Sequence, residues 1–244
     1  MKLPPCEEVP GFRELGFVAF TTTRQAGSFN LASSEPAAAV FGRWTGLVDS
    51  LRPETLRLAT ALQVHGNRIL SHGDAWEGWL RDTSGADGHL SRSHRTAMAV
   101  TVADCVPVFI AHPDGVGLLL HSGWKGTAAR ILNMAFEALD ALGRDVTQAR
   151  VHFGPAICGK CYEVGPDVYA AVTGQQVESP TLLDLRAVMA AEARQAGATA
   201  TVSEWCTRCH NERFYSHRAG DDGRQLGVLM LWEPPMGGGP GPLP

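Results

Sequence analysis

The stretch that decides the fold is residues 96–130, T-A-M-A-V-T-V-A-D-C-V-P-V-F-I-A-H-P-D-G-V-G-L-L-L-H-S-G-W-K-G-T-A-A-R. Its β-branched and aromatic residues predict a strand over residues 100–110, interrupted by the polar pair Asp104 and Cys105. Buried strands seldom carry a carboxylate in their interior, so this polar pair indicates a functional site rather than ordinary core packing. After a Pro-Asp-Gly turn, a second apolar run leads into His121 and a glycine-containing loop. We expect the two strands to be neighbours and to bring Cys105 and His121 into one site.

The composition is typical of an ordinary globular protein. Apolar residues make up 44% of the 244 positions, enough to bury a sizeable core. The net charge of −4 gives no field that would recruit nucleic acid. No apolar run approaches the ~20 residues of a membrane span, and the N-terminus lacks the apolar core of a signal peptide. We therefore expect a cytoplasmic protein with a small-molecule substrate and no nucleic-acid or membrane partner. The sequence does not indicate its oligomeric state.

The chain shows no repeats and no internal linker. Residues 1–232 are therefore predicted to form one domain, and the Pro- and Gly-rich residues 233–244 a disordered tail.

Hydrophobic periodicity and turn residues predict alternating strands and helices along the chain. Before the central stretch we expect a helix over residues 55–62, a short strand over residues 63–67 and mostly loop over residues 71–95. After it, apolar positions on one helical face predict a single helix over residues 127–142.

His65, Cys105 and His121 form the first candidate site. Forty residues separate His65 from Cys105 and 16 separate Cys105 from His121, so only the fold could bring the three together. Three protein ligands with an open fourth position are the pattern of a catalytic zinc ion. The alternative is that Cys105 is a core thiol and His121 a strand-end histidine bonded to backbone.

Several short motifs follow one another in an order known from one protein family. They are Q-V-H-G around His65, A-D-G around Asp87, T-V-A-D-C-V-P-V around Cys105, H-S-G-W-K-G from His121, G-P-A-I at 154–157, Y-E-V-G from Tyr162, F-Y-S-H-R at 214–218 and G-R at 223–224. Over roughly residues 18–230 the chain closely resembles the YfiH-like family. That family is also called the laccase-domain or multicopper polyphenol oxidase family, and it is now described as purine nucleoside phosphorylase.

The resemblance implies a fold, a metal and an activity. The fold is α/β, with mixed β-sheets flanked by helices, akin to the catalytic domain of cytotoxic necrotizing factor. The metal is usually zinc, with copper as the alternative, held by the residues matching His65, Cys105 and His121. The activities are phosphorolysis of adenosine, guanosine, inosine and methylthioadenosine, and deamination of adenosine. A role in editing peptidoglycan precursors is implied for some bacteria.

Other polar residues suit that chemistry. A carboxylate that shuttles protons beside the metal is predicted to be Asp87, with Asp104 as the second candidate. Asp87 could instead be a turn residue bonded to its own backbone. Phosphate would need cationic or amide donors, for which Arg24, Lys125 and Arg218 are the candidates, together with the amides of residues 122–126. Each of these basic side chains alone is more often a solvated surface group.

The chain departs from the family pattern at three places. The segment T-R-Q-A-G-S-F-N at residues 23–30 is one glycine short of the usual motif. Ala219 stands where a second basic residue is usual, and Lys125 stands where arginine is common. These departures leave the predicted metal ligands intact and bear on phosphate handling.

Four of the six cysteines form two C-x-x-C pairs, Cys158 with Cys161 and Cys206 with Cys209. Two such pairs could build a structural zinc site, although the intervening segment is longer than in common zinc ribbons. No thioredoxin-like context favours a redox pair. Reduced thiols near the rim of the active site are the preferred interpretation.

Three hypotheses compete with a zinc-dependent nucleoside enzyme. A copper-dependent phenol oxidase is disfavoured because a multicopper enzyme needs several histidine-rich motifs. A peptidoglycan-editing or non-catalytic protein would hold its zinc with a fourth protein ligand. Amide hydrolysis would use Cys105 as the catalytic nucleophile.

Overall fold

Two six-stranded sheets form the centre of the fold in the computed structural model, which describes residues 2–52 and 54–232. The strands are β1 (Cys6–Glu8), β2 (Phe17–Thr22), β3 (Arg57–Ala61), β4 (Ile69–His72), β5 (Gly78–Asp82), β6 (Gly88–Ser91), β7 (Thr96–Val102), β8 (Val106–His112), β9 (Val116–Ser122), β10 (Arg150–Phe153), β11 (Glu163–Val164), β12 (Thr181–Leu182), β13 (Thr199–Val202) and β14 (Gln225–Leu231). The helices are α1 (Ala37–Leu51), α2 (Trp124–Ala128), α3 (Ile131–Ala141), α4 (Pro166–Thr173) and α5 (Leu185–Gln195).

Both large sheets mix parallel and antiparallel neighbours. The first has the strand order β1-β2-β14-β7-β3-β5, and the second has the order β13-β10-β8-β9-β6-β4. The pairs β3–β7 and β10–β13 are parallel, whereas β7–β14 and β8–β9 are antiparallel. The α/β fold of mixed sheets flanked by helices is therefore confirmed.

The two sheets share an apolar core. Met98 and Leu229 from the first sheet cluster with Phe109 and Leu119 from the second, and all four are buried. A Cβ atom on Gly117 would lie 2.7 Å from the ring of Phe17 and 3.3 Å from Leu229, so this close approach requires glycine.

Helices cover the outer faces of the sheets. Val40, Trp44, Leu47 and Leu51 recur on one face of α1 and join an apolar cluster with residues of the first sheet. Helices α3 and α5 contribute their buried faces to a cluster with β8, β9 and β10 of the second sheet. The loops at the ends of β8 and β9 are thereby fixed on a rigid scaffold.

The helix predicted over residues 55–62 is wrong, because this segment contains β3. The strand lies in the interior of the first sheet, parallel to both β5 and β7. Its last four residues are buried, as expected for a strand covered on both faces. Such a short apolar run carries no periodicity that distinguishes strand from helix.

The strand predicted over residues 63–67 is also wrong, and the mostly loop region predicted over residues 71–95 contains strands that were not predicted. Residues 63–67 form a loop with no strand, and residues 71–95 include the end of β4 and all of β5 and β6. Strands β4 and β5 lie at sheet edges, where exposed polar residues are tolerated and the apolar pattern is weak.

Two predicted continuous elements are interrupted. The strand expected over residues 100–110 is two strands in different sheets, β7 and β8, joined by a turn in which Asp104 has φ +78°. The helix expected over residues 127–142 is divided at Arg130, whose φ of +60° separates α2 from α3. Backbone strain of this kind leaves no periodic signal in the sequence.

The single domain predicted for residues 1–232 stays a prediction, which the shared core supports. The predicted disordered tail, residues 233–244, lies outside the described residues. Within residues 2–52 and 54–232, no helix combines the length and the apolar character needed to span a bilayer.

Candidate active site

The structure brings His65, Cys105 and His121 together at the ends of β8 and β9. Antiparallel pairing places Pro107 opposite His121, and Cys105 immediately precedes β8. His65 reaches them from the loop between β3 and β4. The candidate ligand atoms of the three side chains lie within 4.8 Å of one another. We call this group the three-donor site.

Asp87 fixes the loop that carries His65. Its carboxylate is fully buried and accepts backbone N–H bonds from Val64 at 3.1 Å, His65 at 3.0 Å and Gly66 at 2.7 Å. His65 has φ +60°, a left-handed conformation that costs a non-glycine residue about 1–2 kcal/mol. Three charge-assisted hydrogen bonds offset that strain and hold the imidazole in place.

The same carboxylate orients His121. Nδ1 of His121 lies 2.8 Å from Oδ1 of Asp87, and the backbone N–H of His121 donates to the Asp87 carbonyl at 2.7 Å. A carboxylate acceptor places the proton on Nδ1 and leaves Nε2 as the nitrogen available to a metal. Burial would raise the pKa of Asp87, but the hydrogen bonds from His121 and the loop amides lower it below its ordinary value.

The surroundings of Cys105 and His121 favour a thiolate beside an imidazolium. Burial alone would raise the pKa of the Cys105 thiol, yet the charge of and hydrogen bond from His121, with a further bond from His65, lower it to about 6. Burial alone would lower the pKa of His121, but Cys105 and Asp87 raise it to about 9. Between these two pKa values the Cys105 thiol is expected to be ionised, which is the form of a thiol that binds a metal.

Gly123 provides the space that the three donors share. A Cβ atom at this position would lie 2.9 Å from Sγ of Cys105 and 3.4 Å from Cδ2 of His65. Its absence leaves the thiolate and the imidazole free to face a common centre. Two imidazole nitrogens and one thiolate are a donor set that suits zinc or copper. The residues present thus fit a metal ion on grounds of chemistry, space and orientation.

Asp104 ties the Cys105 turn to two other loops. Its Oδ1 accepts from Oγ1 of Thr207 at 2.6 Å and its Oδ2 accepts from the Arg218 amide at 2.7 Å. The Ile157 amide donates to its carbonyl at 3.1 Å. These contacts favour a positioning role. Both oxygens of Asp87 and of Asp104 are already in hydrogen bonds, which does not favour proton transfer by either carboxylate. A proton-transfer role for them stays a prediction.

Two basic side chains lie next to the residues of the three-donor site. Lys125 is exposed at the start of α2, two residues after Gly123. The guanidinium of Arg218 stands 5.1 Å from the ring centre of Tyr162. Burial, followed by the charge of Cys105, raises the pKa of Tyr162, which places this half-buried phenol near the thiolate. Lys125, Arg218 and Tyr162 could contact an anionic or aromatic substrate.

Arg24 is engaged elsewhere in the described structure. Its guanidinium pairs with Asp221 at 2.6 Å, donates to the Asn211 carbonyl at 2.9 Å, and lies 4.3 Å from the ring centre of Tyr215. These contacts give Arg24 a structural role, and its predicted part in phosphate binding stays a prediction. Helix α2, whose amides were the other predicted donors, has only five residues and a correspondingly weak dipole.

Sequence reasoning did not identify Thr207 as part of the site, and it considered Gly123 only as one of the backbone amides of residues 122–126. Thr207 lies within the C-T-R-C segment, whose pattern indicates a cysteine pair and gives no sign of a role for the threonine. Gly123 carried a signal within H-S-G-W-K-G, but no sequence pattern shows which side chain a Cβ atom would meet.

Comparison with known proteins shows a family match over most of the chain. Residues 18–232 match the family model described as multi-copper polyphenol oxidoreductase laccase. A purine nucleoside phosphorylase from Deinococcus radiodurans is 36% identical over 69% of this chain and 68% of its own. One from Mycobacterium tuberculosis is 31% identical over 86% of this chain and 90% of its own. An adenosine deaminase from an unknown prokaryotic organism is 31% identical over 55% of this chain and 57% of its own.

Solved structures share the fold. YlmD from Geobacillus stearothermophilus has a TM-score of 0.84 and 25% identity, covering 96% of this chain and 98% of that one. A hypothetical protein, YfiH, from Bacillus licheniformis has a TM-score of 0.83 and 24% identity, covering 94% of this chain and 97% of that one.

Proposed function

The chain belongs to the family described as multi-copper polyphenol oxidoreductase laccase, and on that premise we propose that it is a zinc-dependent purine nucleoside phosphorylase. Relatives at 31–36% identity carry the names purine nucleoside phosphorylase and adenosine deaminase, which supports an enzyme acting on nucleosides. The observation that carries the proposal is the three-donor site, with the exposed cations Lys125 and Arg218 close to it in the fold.

The chain's own residues divide the work at the site. His121, Cys105 and His65 would hold the ion, which supplies Lewis acidity when bound. Asp87 keeps the His121 proton on Nδ1 and so holds Nε2 toward the thiolate. The three donors range from buried His121 to exposed His65, so one side of the site faces solvent and substrate. Catalytic zinc sites keep such an open position.

Phosphorolysis suits the basic side chains. Lys125 and Arg218 could pair with phosphate oxygens, and the half-buried ring of Tyr162 could stack on a purine base. Phosphate arrives already ionised, so no protein base is needed to generate the nucleophile. The Ala219 departure makes Arg218 the single basic residue of its motif. Arg218 would therefore carry more of the phosphate interaction than a paired arginine would.

Adenosine deamination is supported less well. Zinc deaminases use a carboxylate that carries protons between water and the base. The nearest carboxylates, Asp87 and Asp104, hold the His65 loop and the Cys105 turn with both oxygens. We therefore place deamination second, as a side activity that would need a proton carrier other than these.

Copper-dependent phenol oxidation has less support from the donor set. Among the residues that the structure describes, two groups of three or more potential metal ligands occur, and one of them consists of thiols alone. The three-donor site has only two histidines, whereas a multicopper centre requires more imidazoles.

Amide hydrolysis is a second candidate that one observation favours. Cys105, His121 and Asp87 lie in the order of a nucleophile, its base and the carboxylate that orients the base. This hypothesis differs from the first in its response to metal, because zinc would block the thiolate. Metal that inhibits the enzyme and an alkylating reagent that inactivates it would favour hydrolysis.

The test compares wild type with His121→Ala after the metal content of each has been measured. Each protein is incubated with adenosine, with and without phosphate, and chromatography separates adenine, inosine and hypoxanthine. We expect phosphate-dependent adenine from wild type and at least a 1,000-fold lower rate from the variant, about 4 kcal/mol of lost transition-state stabilisation. Inosine formed without phosphate would instead identify deamination.

His94→Ala is the matched control. This exposed histidine lies two residues before β7, at the opposite end of that strand from the Asp104 turn, and its removal should leave the rate unchanged. Wild-type protein with zinc in the three-donor site and no turnover of adenosine, inosine, guanosine or methylthioadenosine would refute the proposal.

A further inference from the structure

Four cysteines outside the three-donor site converge through the pairing of two strands. Strands β10 and β13 are parallel neighbours, and the pairing continues beyond them as a bridge between Ala156 and Cys206. The amide of Thr207 donates to the Ala156 carbonyl at 3.1 Å. The two C-x-x-C segments follow these strands and are therefore set side by side. We call Cys158, Cys161, Cys206 and Cys209 the four-thiol cluster.

The sulfur positions match the dimensions of a tetrahedral site. All four Sγ atoms lie within 4.8 Å of one another, and those of Cys161 and Cys209 are 3.4 Å apart. A zinc–sulfur bond of about 2.3 Å in a tetrahedron separates the sulfurs by about 3.8 Å. A disulfide would need about 2.05 Å, and all four cysteines are free.

The backbone is arranged to accept a thiolate at Cys206. This residue is 4% exposed, and its sulfur accepts amide N–H bonds from Cys158 at 3.3 Å and from Cys209 at 3.4 Å. Two amide donors aimed at one buried sulfur favour the ionised form over the thiol.

Basic residues offset the charge that four thiolates would bring. Each C-x-x-C pair encloses one cation, Lys160 in the first and Arg208 in the second. Arg208 also donates to the Cys161 carbonyl at 3.2 Å and so links the two segments. A divalent ion with four thiolates has a net charge of −2, which these two side chains can neutralise.

Neither a redox disulfide nor a set of unliganded thiols accounts for all of these contacts. A disulfide between Cys161 and Cys209 would use two sulfurs and leave the amide donors at Cys206 unexplained. Four reduced thiols, the interpretation that the sequence favoured, would have no reason to converge from segments 45 residues apart in the chain.

We propose that the four-thiol cluster is a closed structural zinc site, separate from the three-donor site. Tetrahedral coordination by four sulfurs selects zinc or iron, and a site with four protein ligands has no open position for a substrate. The hydrogen bonds of Asp104 connect this zinc site to the turn that carries Cys105. Thr207 and Ile157, which bond to Asp104, are the immediate neighbours of Cys206 and Cys158. The zinc ion would clamp the two segments that hold the Cys105 turn.

The test is the metal content per chain, measured by mass spectrometry on protein purified without chelator and desalted. Wild type should carry two zinc ions, Cys209→Ser and Cys158→Ser one each, and His121→Ala one. The double variant His121→Ala/Cys209→Ser should carry none. Cys6→Ser, which removes a thiol outside both groups, should keep two. Cys209 is exposed, so its replacement by serine should leave the fold intact, which circular dichroism would verify.

Cobalt replacement gives a readout that does not depend on activity. Cobalt-loaded His121→Ala should show intense thiolate-to-metal absorption, and the double variant should lose it. One zinc ion in wild type that persists in Cys209→Ser and disappears in His121→Ala would overturn the proposal. So would iron in place of zinc, or a thiol count in denatured wild type that is two short of six because Cys161 and Cys209 are oxidised.

Discussion

The three-donor site and the four-thiol cluster are both formed at the ends of adjacent strands, but they differ in the number and type of their donors. In each, adjacent strands end side by side and deliver metal-binding residues from segments that are distant in the chain. The three-donor site has two imidazoles, one thiolate and an exposed side at His65. The four-thiol cluster has a fourth protein ligand where the other has none. The first arrangement leaves an open position for a substrate, whereas in the proposed zinc site four protein ligands would leave none.

The difference lies in what surrounds the ligands. Asp87, fully buried, holds the His65 loop and His121, and Gly123 keeps the space beside Cys105 free of a side chain. That support consists of charge-assisted bonds made to the ligands' own backbone and ring. The four-thiol cluster is supported by amide bonds to Cys206 and by turns within each C-x-x-C segment. The three-donor site therefore depends on a single carboxylate for its support, whereas the support of the four-thiol cluster is distributed along the backbone.

Replacing that carboxylate should have the largest effect and should affect only one site. In Asp87→Asn, the side-chain amide would face the donors of Val64 and Gly66 and the charge that pairs with His121 would be lost. We expect zinc affinity at the three-donor site to fall about 10–100-fold, the usual cost of removing a residue that orients a metal-bound histidine. The four-thiol cluster should keep its zinc. Competition with a chromogenic chelator would measure both affinities.

Asp145→Asn is the matched control for that change. Asp145 is an exposed carboxylate that caps a short 3-10 turn by accepting a hydrogen bond from the Thr147 amide at 2.9 Å, and it belongs to neither site. Its replacement should leave both zinc affinities unchanged. Zinc affinity in Asp87→Asn within twofold of wild type would mean that Asp87 does not position His121.

Sequence reasoning identified the three residues that the structure brings together in the three-donor site, but not the contacts that support them. The strand-end position of His121 and the polar pair within residues 100–110 predicted a meeting of Cys105 and His121, which the β8–β9 pairing produces. The helix predicted over residues 55–62 shows where such reasoning fails, because a short apolar run has no distinctive period. Asp87 was recognised as important, yet its hydrogen bonds depend on the left-handed turn at His65, which the sequence does not reveal.

The four cysteines show a second limit. Their spacing indicated a zinc site as one option, but the long intervening segment favoured reduced thiols. The parallel pairing of β10 with β13, which closes that distance, is a tertiary feature. Local patterns identify ligand pairs, and the sheet topology decides whether two pairs meet.

The number of protons released on zinc binding should separate the two sites. Near pH 7.5, Cys105 is already ionised because its pKa is about 6, and His121 is protonated because its pKa is about 9. Zinc must therefore displace one proton, from His121. Burial and the contact with Cys209 raise the pKa of Cys161 to about 12. The bond with Cys161 lowers the pKa of Cys209, but Cys206 and burial raise it overall, so both thiols lose protons when zinc binds.

Single-site variants isolate the two contributions. Cys209→Ser, which retains the three-donor site, should release about one proton per zinc, and its affinity should rise about tenfold per pH unit between pH 6 and 9. His121→Ala, which retains the four-thiol cluster, should release at least two protons and show the steeper dependence. Both are measured with a pH indicator in weakly buffered solution. Equal proton release from the two variants would contradict the assigned charges.

The smallest expected effect tests whether the open side of the three-donor site handles phosphate. Lys125→Met removes an exposed charge while keeping the length of the side chain, and exposed charge pairs contribute about 0.2–1 kcal/mol. The KM for phosphate should rise about two- to fivefold, with kcat and the zinc content unchanged. The control is Lys160→Met, which replaces an exposed lysine between Cys158 and Cys161 and should leave the KM for phosphate unchanged. A reduced kcat at saturating phosphate in Lys125→Met would contradict this expectation. It would mean that Lys125 stabilises the transition state of the reaction and does not only bind phosphate.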